Sequence, residues 1–271
     1  MICLVQEGNL PAFLQATSLD AILGARLYTQ YQVYGLEYPA MNFWLQQNEN
    51  GEATAALSRF DGWLTVSAGE RADLDELAEF ARMLGGFSRL EAAPALCECL
   101  RGDGKLDGGL MFCYKGEGFG GMHPGVHTQP ALRDVYQTIC AANTWFSDTT
   151  NWAGWYTHTS HLLRHRLGFC SAVQKDGKVV STGGVYTMGQ CVAVIGGLAT
   201  LPGYRGRGYA AQILHQLVDV ALQQGKTPAL FCAEESLVGY YSRNGFVPAG
   251  RWAEVQFAAP KTQYAEQGEA P

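Results

Sequence analysis

The sequence predicts an α/β (α+β) fold made of two lobes in tandem, and three observations support this. Strand and helix patterns alternate along the 271 residues. The order of these patterns before the glycine-rich stretch at 115–125 is similar to the order after it. Such a stretch is typical of a boundary between domains. We therefore expect a first lobe over residues 1–118, a second lobe over 119–265 and a short tail over 266–271.

In the first lobe, hydrophobic patterns of period two predict strands and patterns of helical period predict helices. Strands are expected at 1–6, 41–46, 53–59, 62–68, 87–92 and 110–114. Helical patterns cover 11–34, 73–84 and 94–100.

The second lobe repeats this order. A helix is predicted at 130–143, followed by an aromatic-rich segment and by strands at 170–175, 179–188 and 191–200. A helix at 209–224 carries an apolar stripe of helical period and stops at Gly225. The wholly apolar run 229–233 is typical of a strand buried on both faces, and a helix at 235–244 follows it.

Composition and charge narrow the class of protein. Hydrophobic residues make up 47% of the chain and charged residues 16%, which describes a globular protein with a sizeable core. No segment approaches the ~18 continuous apolar residues of a membrane span, and the acidic start of the chain predicts no signal peptide. We expect no membrane partner. A net charge of −6 disfavours nucleic acid and is compatible with a cationic amine substrate.

The eight cysteines lie mostly in apolar contexts, so we expect reduced cysteines in the core of a cytoplasmic protein. The pair Cys97 and Cys99 lacks the two-residue gap of a zinc site. The sequence carries no signal for oligomeric state.

The most informative motif is the loop between the strand at 191–200 and the helix at 209–224. Gly206 and Gly208 allow the backbone to turn its N–H groups toward a ligand and let that ligand approach closely. The first N–H groups of the helix point to the same place, and Arg205 and Arg207 add charge in a geometry that suits phosphate oxygens. The motif therefore predicts a phosphate-bearing ligand.

Two other glycine-rich designs compete for this loop. A nucleoside-triphosphate P-loop needs Lys and Ser or Thr after its last glycine, whereas Tyr209 and Ala210 stand here. A dinucleotide fingerprint fits better, because Gly206-x-Gly208-x-x-Ala211 follows a strand and begins a helix. Too few residues follow Glu234 for the rest of such a fold, so a dinucleotide-binding oxidoreductase stays the less favoured alternative.

The segment from Arg205 to Ala210 resembles the acyl-CoA pyrophosphate loop of GNAT-type N-acetyltransferases, in which Arg or Gln is followed by two residues, Gly, one residue and Gly or Ala. Tyr241-x-x-x-Gly245-Phe246 is similar to the second hallmark of that family, at the expected distance. The resemblance implies a mixed, strongly twisted central sheet flanked by helices in each lobe.

The resemblance also implies a role for each site residue. The backbone of Leu198, Ala199 and Thr200 would bind the pantetheine arm and polarise the acyl carbonyl. Tyr241 would protonate the departing thiolate, with the adjacent Tyr240 leaving the register open. Glu234 stands where the family often has Asn, so it is either a base or a capping residue. The pyrophosphate would lie on Arg205, Gly206, Arg207, Gly208, Tyr209 and Ala210.

The acceptor side is less defined. Trp145, Trp152 and Trp155 line an acceptor pocket or fill core, and His161 and His165 fit a solvated helix face better than a metal site. In the first lobe the stretch 66–75 has one glycine and carries acids that would repel a pyrophosphate. We expect that lobe to be a degenerate relative without a cofactor site.

The resulting hypothesis is an acyl-CoA-dependent N-acyltransferase that moves an acetyl group from acetyl-CoA to a primary amine, on a small molecule or a peptide, by direct transfer. The main alternative is a catalytically silent regulatory protein that binds CoA. No general base can be named from the sequence, because the strand at 191–200 offers no acid.

Overall fold

The computed structural model describes residues 1–121 and 123–257. Its strands form a mixed sheet of 12 strands. In the first half of the chain they are β1 (Ile2–Leu4), β2 (Asn42–Gln47), β3 (Ala53–Phe60), β4 (Trp63–Ala68), β5 (Arg89–Ala92) and β6 (Lys105–Tyr114). In the second half they are β7 (Val126–His127), β8 (Phe169–Lys175), β9 (Lys178–Met188), β10 (Val192–Thr200), β11 (Thr227–Cys232) and β12 (Phe246–Gln256).

Helices cover both faces of this sheet. The first half supplies α1 (Leu10–Ala16), α2 (Ala21–Tyr34), α3 (Leu74–Leu84) and α4 (Pro94–Leu100). The second half supplies α5 (Leu132–Ala142), α6 (Thr144–Thr149), α7 (Trp152–Arg164), α8 (Tyr209–Gln223) and α9 (Val238–Arg243). In the described part of the chain, each helix is too short or too polar to cross a bilayer.

The strand order shows how the halves are joined. Across the sheet it reads β1-β2-β3-β4-β5-β12-β6-β11-β10-β9-β8-β7, so each half adds its last strand beside the fifth strand of the other half. The exchanged strands β6 and β12 pair with each other in antiparallel fashion, from Tyr114 opposite Phe246 to Lys105 opposite Gln256. The two halves therefore share one continuous sheet.

This exchange bears on the expected domains. In the chain, β6 comes before the division at residue 118. In the sheet, however, β6 lies among strands of the second half, between β12 and β11. As a division into domains, the break at residue 118 stays a prediction. The tail at 266–271, with the end of the second lobe from 258, lies outside the described residues.

Alternating residues of each strand pack on opposite faces of the sheet. In β10, Ala193 and Ile195 contact the face that α8 covers, while Val192 and Val194 lie beneath α2. Ala253 in β12 faces α3 and α4, on the same side as α8. We call the side of α3, α4 and α8 the α8 face and the side of α1, α2 and α5 the α2 face.

Several boundaries differ from the predicted ones for local reasons. The helices expected over 11–34 are α1 and α2, which separate at Asp20 because its carboxylate accepts hydrogen bonds from the N–H groups of Ile22 and Leu23 and starts α2. The strand expected at 110–114 begins at Lys105, within a glycine-rich segment. A Cβ atom on Gly109 would lie 2.0 Å from the Cys232 carbonyl oxygen, so glycine permits this strand to approach β11.

Candidate functional site

The site begins where two parallel strands separate. β10 and β11 pair from Val192 opposite Thr227 to Ile195 opposite Leu230. Beyond that point β10 continues beside β9, and β11 continues beside β6. The gap between the diverging strands leaves backbone N–H and C=O groups of both strands available to a ligand.

A bulge widens this gap on the β10 side. The pairing with β9 passes from Gly196–Gly184 to Ala199–Thr182, so one extra residue lies in β10. Gly197 has φ +58°, and a Cβ atom there would lie 3.0 Å from the Tyr186 ring. The bulge therefore re-aims the backbone of Gly197 and Leu198 at the mouth of the cleft.

The predicted anion loop lies at the same end of the sheet. Gly206 and Gly208 have φ +75° and +78°, in the left-handed region, and Gly208 is the residue from which α8 starts. Because glycine has no side chain to cap a helix, the first N–H groups of α8 stay available to a ligand. Partial positive charge from the helix dipole is concentrated there.

The two arginines of the loop have different positions. The Arg205 guanidinium donates hydrogen bonds to the carbonyl oxygens of Thr200 (3.2 Å) and Ala142 (3.3 Å), which ties the loop to β10 and α5. Arg207 donates to the Gly203 carbonyl (3.3 Å) and lies over the Tyr204 ring. Arg205 therefore shapes the cleft, whereas Arg207 sits on its outer rim.

These elements enclose a cleft of about 920 Å³. Of the residues predicted for the site, those that line it are Leu198, Ala199, Thr200, Arg205, Gly206, Gly208, Tyr209, Ala210, Glu234 and Tyr241. Arg207 is not among the described residues that line it. The second wall comes from α5, through Ile139, Ala142, Asn143 and Thr144.

Two adjacent tyrosines stand at the inner end of the cleft. Tyr241 is 8% exposed, and burial, with Cys232, Tyr240 and Glu234 nearby, raises its pKa. Burial raises the pKa of Tyr240 to about 12. The Tyr240 hydroxyl is buried and has no hydrogen-bond partner among the described residues. Both phenols are thus protonated at neutral pH, and either could donate a proton or a hydrogen bond to a ligand.

Glu234 and Cys232 complete the wall on the β11 side. Glu234 is exposed and precedes a short 3-10 turn at Glu235–Leu237, which interrupts the helix predicted at 235–244. The Cys232 thiol donates a hydrogen bond to the Glu234 carbonyl oxygen (3.2 Å), and burial raises its pKa. The thiol is therefore protonated and a weak nucleophile.

The equivalent turn in the first half, between β4 and α3, is built differently. The Gln46 side chain fills it, donating to the Asp73 carbonyl (2.9 Å) and accepting from the Asp73 N–H (3.1 Å). The Asp73 carboxylate caps α3, and Asp75 and Glu76 follow in the first turn. A side-chain cap and three acids leave no positive N-terminus for a phosphate.

The aromatic-rich segment forms α6 and α7. Trp152 and Trp155 pack around Tyr136, with ring centroids 5.3 and 5.4 Å from it, and so fill core beside α5. Trp145 is 44% exposed and lies over the Arg89 guanidinium of the other half. His161 and His165 lie side by side, but no cluster of metal ligands occurs within residues 1–121 and 123–257.

All eight cysteines, each of which lies in a described residue, are free. Cys97, Cys170 and Cys232 are buried, whereas Cys99 and Cys191 are exposed, so the expectation of core positions holds only in part.

Sequence reasoning missed one feature near the cleft. Glu91, Glu254 and Asp107 lie directly opposite one another on β5, β12 and β6. These residues are far apart in the chain, and only the strand exchange brings them together. The alternation of Trp252 and Glu254 with apolar residues in β12 is the signal that could have placed them on one face.

Comparison with known proteins agrees with this architecture. Residues 132–246 match the model of the acetyltransferase (GNAT) family. No curated protein matches the chain in sequence. Solved structures share its fold at low identity. A GCN5-related N-acetyltransferase from Sphaerobacter thermophilus is 16% identical, with 94% of each chain covered and a TM-score of 0.58.

Two further structures resemble nearly the whole chain. A tandem GNAT protein from the clavulanic acid biosynthesis pathway is 12% identical, with 94% of this chain and 97% of that chain covered and a TM-score of 0.58. A GNAT-family acetyltransferase from Colwellia psychrerythraea is 16% identical, with 95% and 100% covered and a TM-score of 0.53. The splayed strands and the glycine loop both lie within residues 132–246, the segment that matches the acetyltransferase (GNAT) family.

Proposed function

We propose that this protein is an acyl-CoA-dependent N-acyltransferase that transfers an acetyl group from acetyl-CoA to a primary amine, directly, while both substrates are bound. The observation that carries the proposal is the cleft itself. It joins the open N-terminus of α8 to the gap between β10 and β11, and it ends at Tyr241.

The residues present fit the donor. The N–H groups from Gly206 to Ala211 would hold the diphosphate, because the left-handed glycines and the helix N-terminus turn them toward one place. The backbone at Leu198–Thr200 would hold the extended arm, as the bulge removes it from regular pairing with β9. Acetyl-CoA supplies an acyl thioester, and a backbone N–H of the bulge would polarise its carbonyl.

Tyr241 would supply the proton that the leaving thiolate needs. Its raised pKa keeps the phenol protonated at neutral pH, which a general acid requires. Cys232 also lines the cleft, but its protonated, hydrogen-bonded thiol is unsuited to carry the acyl group. Direct transfer to the amine is therefore the simpler route.

The test combines binding with turnover. Calorimetry with CoA measures the cradle, and a thiol-release assay with acetyl-CoA and a panel of primary amines measures transfer. Tyr241→Phe should lower kcat about 100-fold while CoA affinity stays within about twofold. Tyr240→Phe is the matched control and should keep turnover within a few-fold.

Each other outcome identifies an alternative. CoA binding without turnover on any amine would indicate a regulatory protein. Binding of NADH and not of CoA would indicate a dinucleotide-binding protein. Equal losses in the two Phe variants would contradict the assignment of the proton donor to Tyr241.

A further inference from the structure

A row of carboxylates crosses the centre of the sheet on the α2 face. Glu91 pairs with Glu254, and Glu254 pairs with Asp107, so three acids are direct neighbours across β5, β12 and β6. Glu91 and Glu254 are 4% and 8% exposed, while Asp107 is exposed and marks the open end of the row. Like charges placed opposite one another destabilise a sheet, so this arrangement needs a compensating positive charge.

The cations nearby compensate only part of this charge. Arg26 of α2 holds Glu91, with Nε 3.1 Å from one carboxylate oxygen and Nη2 3.2 Å from the other. The Arg89 guanidinium lies against Trp63 and comes no closer than 4.0 Å to Glu254. His158 adds no charge at neutral pH, because burial and nearby Arg26 and His161 lower its pKa to about 4. Three carboxylates thus face two guanidinium groups.

Glu254 is the member of the row left without a donor. Within the described residues its carboxylate accepts no hydrogen bond, although the side chain is about nine-tenths buried. Burial, and then the neighbouring Glu91 charge, raise the pKa of Glu254 to about 7 despite Arg89 and Arg26. A bound cation would remove this penalty.

Two further polar atoms beside the row lack partners in the part of the chain that the structure describes. Thr65, opposite Glu91 on the same face, is 1% exposed and its hydroxyl is buried without a hydrogen bond. The Trp252 indole N–H, two residues before Glu254, is buried in the same way. Buried polar groups in native proteins are normally satisfied, so these atoms point to a ligand or ordered water at this place.

The row lies next to the cleft. Phe231 lines the cleft, and its ring packs edge-on against Trp252 with centroids 5.3 Å apart. On the other side, Thr144 lines the cleft and the following Trp145 covers Arg89. Glu254 is two strands away from β11, and the pairing of Leu110 with Cys232 and with Arg251 places it three residues further along the sheet than the end of β11. Its backbone therefore lies roughly 14 Å from that end of the gap where transfer would occur.

We propose that the row of Glu254, Glu91 and Asp107 binds a second ammonium group of the acceptor. The substrate class is then a diamine or polyamine, whose distal nitrogen binds where the two halves of the chain meet while its reacting nitrogen enters the cleft. This inference rests on the proposed function. It gives the first half a role in acceptor binding, on the face opposite α8.

The test compares decane-1,10-diamine, which is long enough to reach from the cleft to the row, with decylamine, which differs only in lacking the second charge. With acetyl-CoA, wild-type kcat/KM should favour the diamine at least about tenfold, the equivalent of one hydrogen bond between charged groups. Glu254→Gln should lower kcat/KM for the diamine about tenfold and leave the value for decylamine unchanged. Glu79→Gln, which removes an exposed charge on α3, is the control and should change neither value.

A binding readout separates this inference from the proposed function. Without acetyl-CoA, decane-1,10-diamine should raise the melting temperature of the wild type and of Glu79→Gln, but not of Glu254→Gln. If Glu254→Gln does not fold, Asp107→Asn at the exposed end should weaken diamine binding instead. Equal binding and equal kcat/KM of the two amines would overturn the inference, while absence of CoA binding and of turnover on either amine would overturn the proposed function.

Discussion

The bulge in β10 can be tested by comparing glycine-to-alanine substitutions at two glycines that line the cleft, Gly197 and Gly208, and at Gly203 in the neighbouring loop. Gly203 has an ordinary φ, and no described atom lies within 4 Å of an added Cβ. Gly208 has equally open surroundings but a φ of +78°. Gly197 combines a φ of +58° with two close neighbours, Tyr186 at 3.0 Å and Ile139 at 3.1 Å from an added Cβ. The series separates backbone strain from steric strain.

The expected free energies follow from these environments. Gly203→Ala should be neutral or stabilising by about 0.5 kcal/mol, because alanine restricts the unfolded chain. Gly208→Ala should cost about 1 kcal/mol for alanine in the left-handed region. Gly197→Ala should cost about 3 kcal/mol, since crowding against two packed side chains adds to the same backbone term.

Thermal unfolding and turnover give the readout. Gly197→Ala should lower the melting temperature by about 8 °C and Gly208→Ala by about 3 °C. Under the proposed function, Gly197→Ala should mainly lower kcat, and Gly208→Ala should mainly weaken CoA binding. A Gly197→Ala variant no less stable than Gly208→Ala would refute the reasoning about the bulge.

Three further predictions concern α8, the glycine loop and Cys232. The buried Asp219 carboxylate accepts hydrogen bonds from the Phe119 N–H (2.6 Å) and from the His123 ring (2.9 Å). Asp219→Asn should therefore lower the free energy of unfolding by about 2 kcal/mol in a denaturant titration. Glu79→Gln is the control and should leave that free energy unchanged. Burial alone would raise the pKa of Asp219, but these hydrogen bonds lower it below 3.8. The stabilisation is therefore present above pH 3.8 and is lost as the pH falls through the folded-state pKa. A difference in unfolding free energy between wild type and Asp219→Asn that shrinks between pH 8 and pH 5 would contradict this. Arg205→Ala should weaken CoA binding about tenfold, measured by calorimetry, because it removes the hydrogen bonds that tie the loop to β10 and α5. Arg207→Ala, on the rim of the cleft, should change CoA affinity less than threefold. A larger loss for Arg207→Ala than for Arg205→Ala would refute the roles given to the two arginines. Cys232→Ala should retain transfer and intact-mass spectra should show no acyl-enzyme, while loss of turnover with normal folding would point to a covalent route.

The sequence predicted the second half of the chain best. There the strand, loop and helix from Val192 to Gln223 have strong local signals: an apolar strand, left-handed glycines and an amphipathic helix. These signals depend on neighbours within a few residues, so the loop and its cleft could be located without the fold. The boundary between the helices expected over 11–34 also has a local signal in Asp20, which acts as the N-cap of α2.

The row of carboxylates that we propose to bind the acceptor could not be predicted from the sequence, for a physical reason. Glu91 and Glu254 belong to different halves of the chain, and each by itself is a polar residue within a strand. Their proximity depends on which strand pairs with which, and an exchange of last strands leaves no mark in local periodicity. For the same reason the strand from Lys105 was expected to begin later, since Gly108 and Gly109 act there through packing against β12 and β11.

The exchange of β6 and β12 has a consequence for how the chain reaches its native state. During synthesis β6 emerges early, but the strands on both of its sides, β11 and β12, are made much later. Until the C-terminal region leaves the ribosome, the nascent first half exposes an open strand edge that invites aggregation or chaperone binding. Closing the sheet is then a late, long-range and slow event.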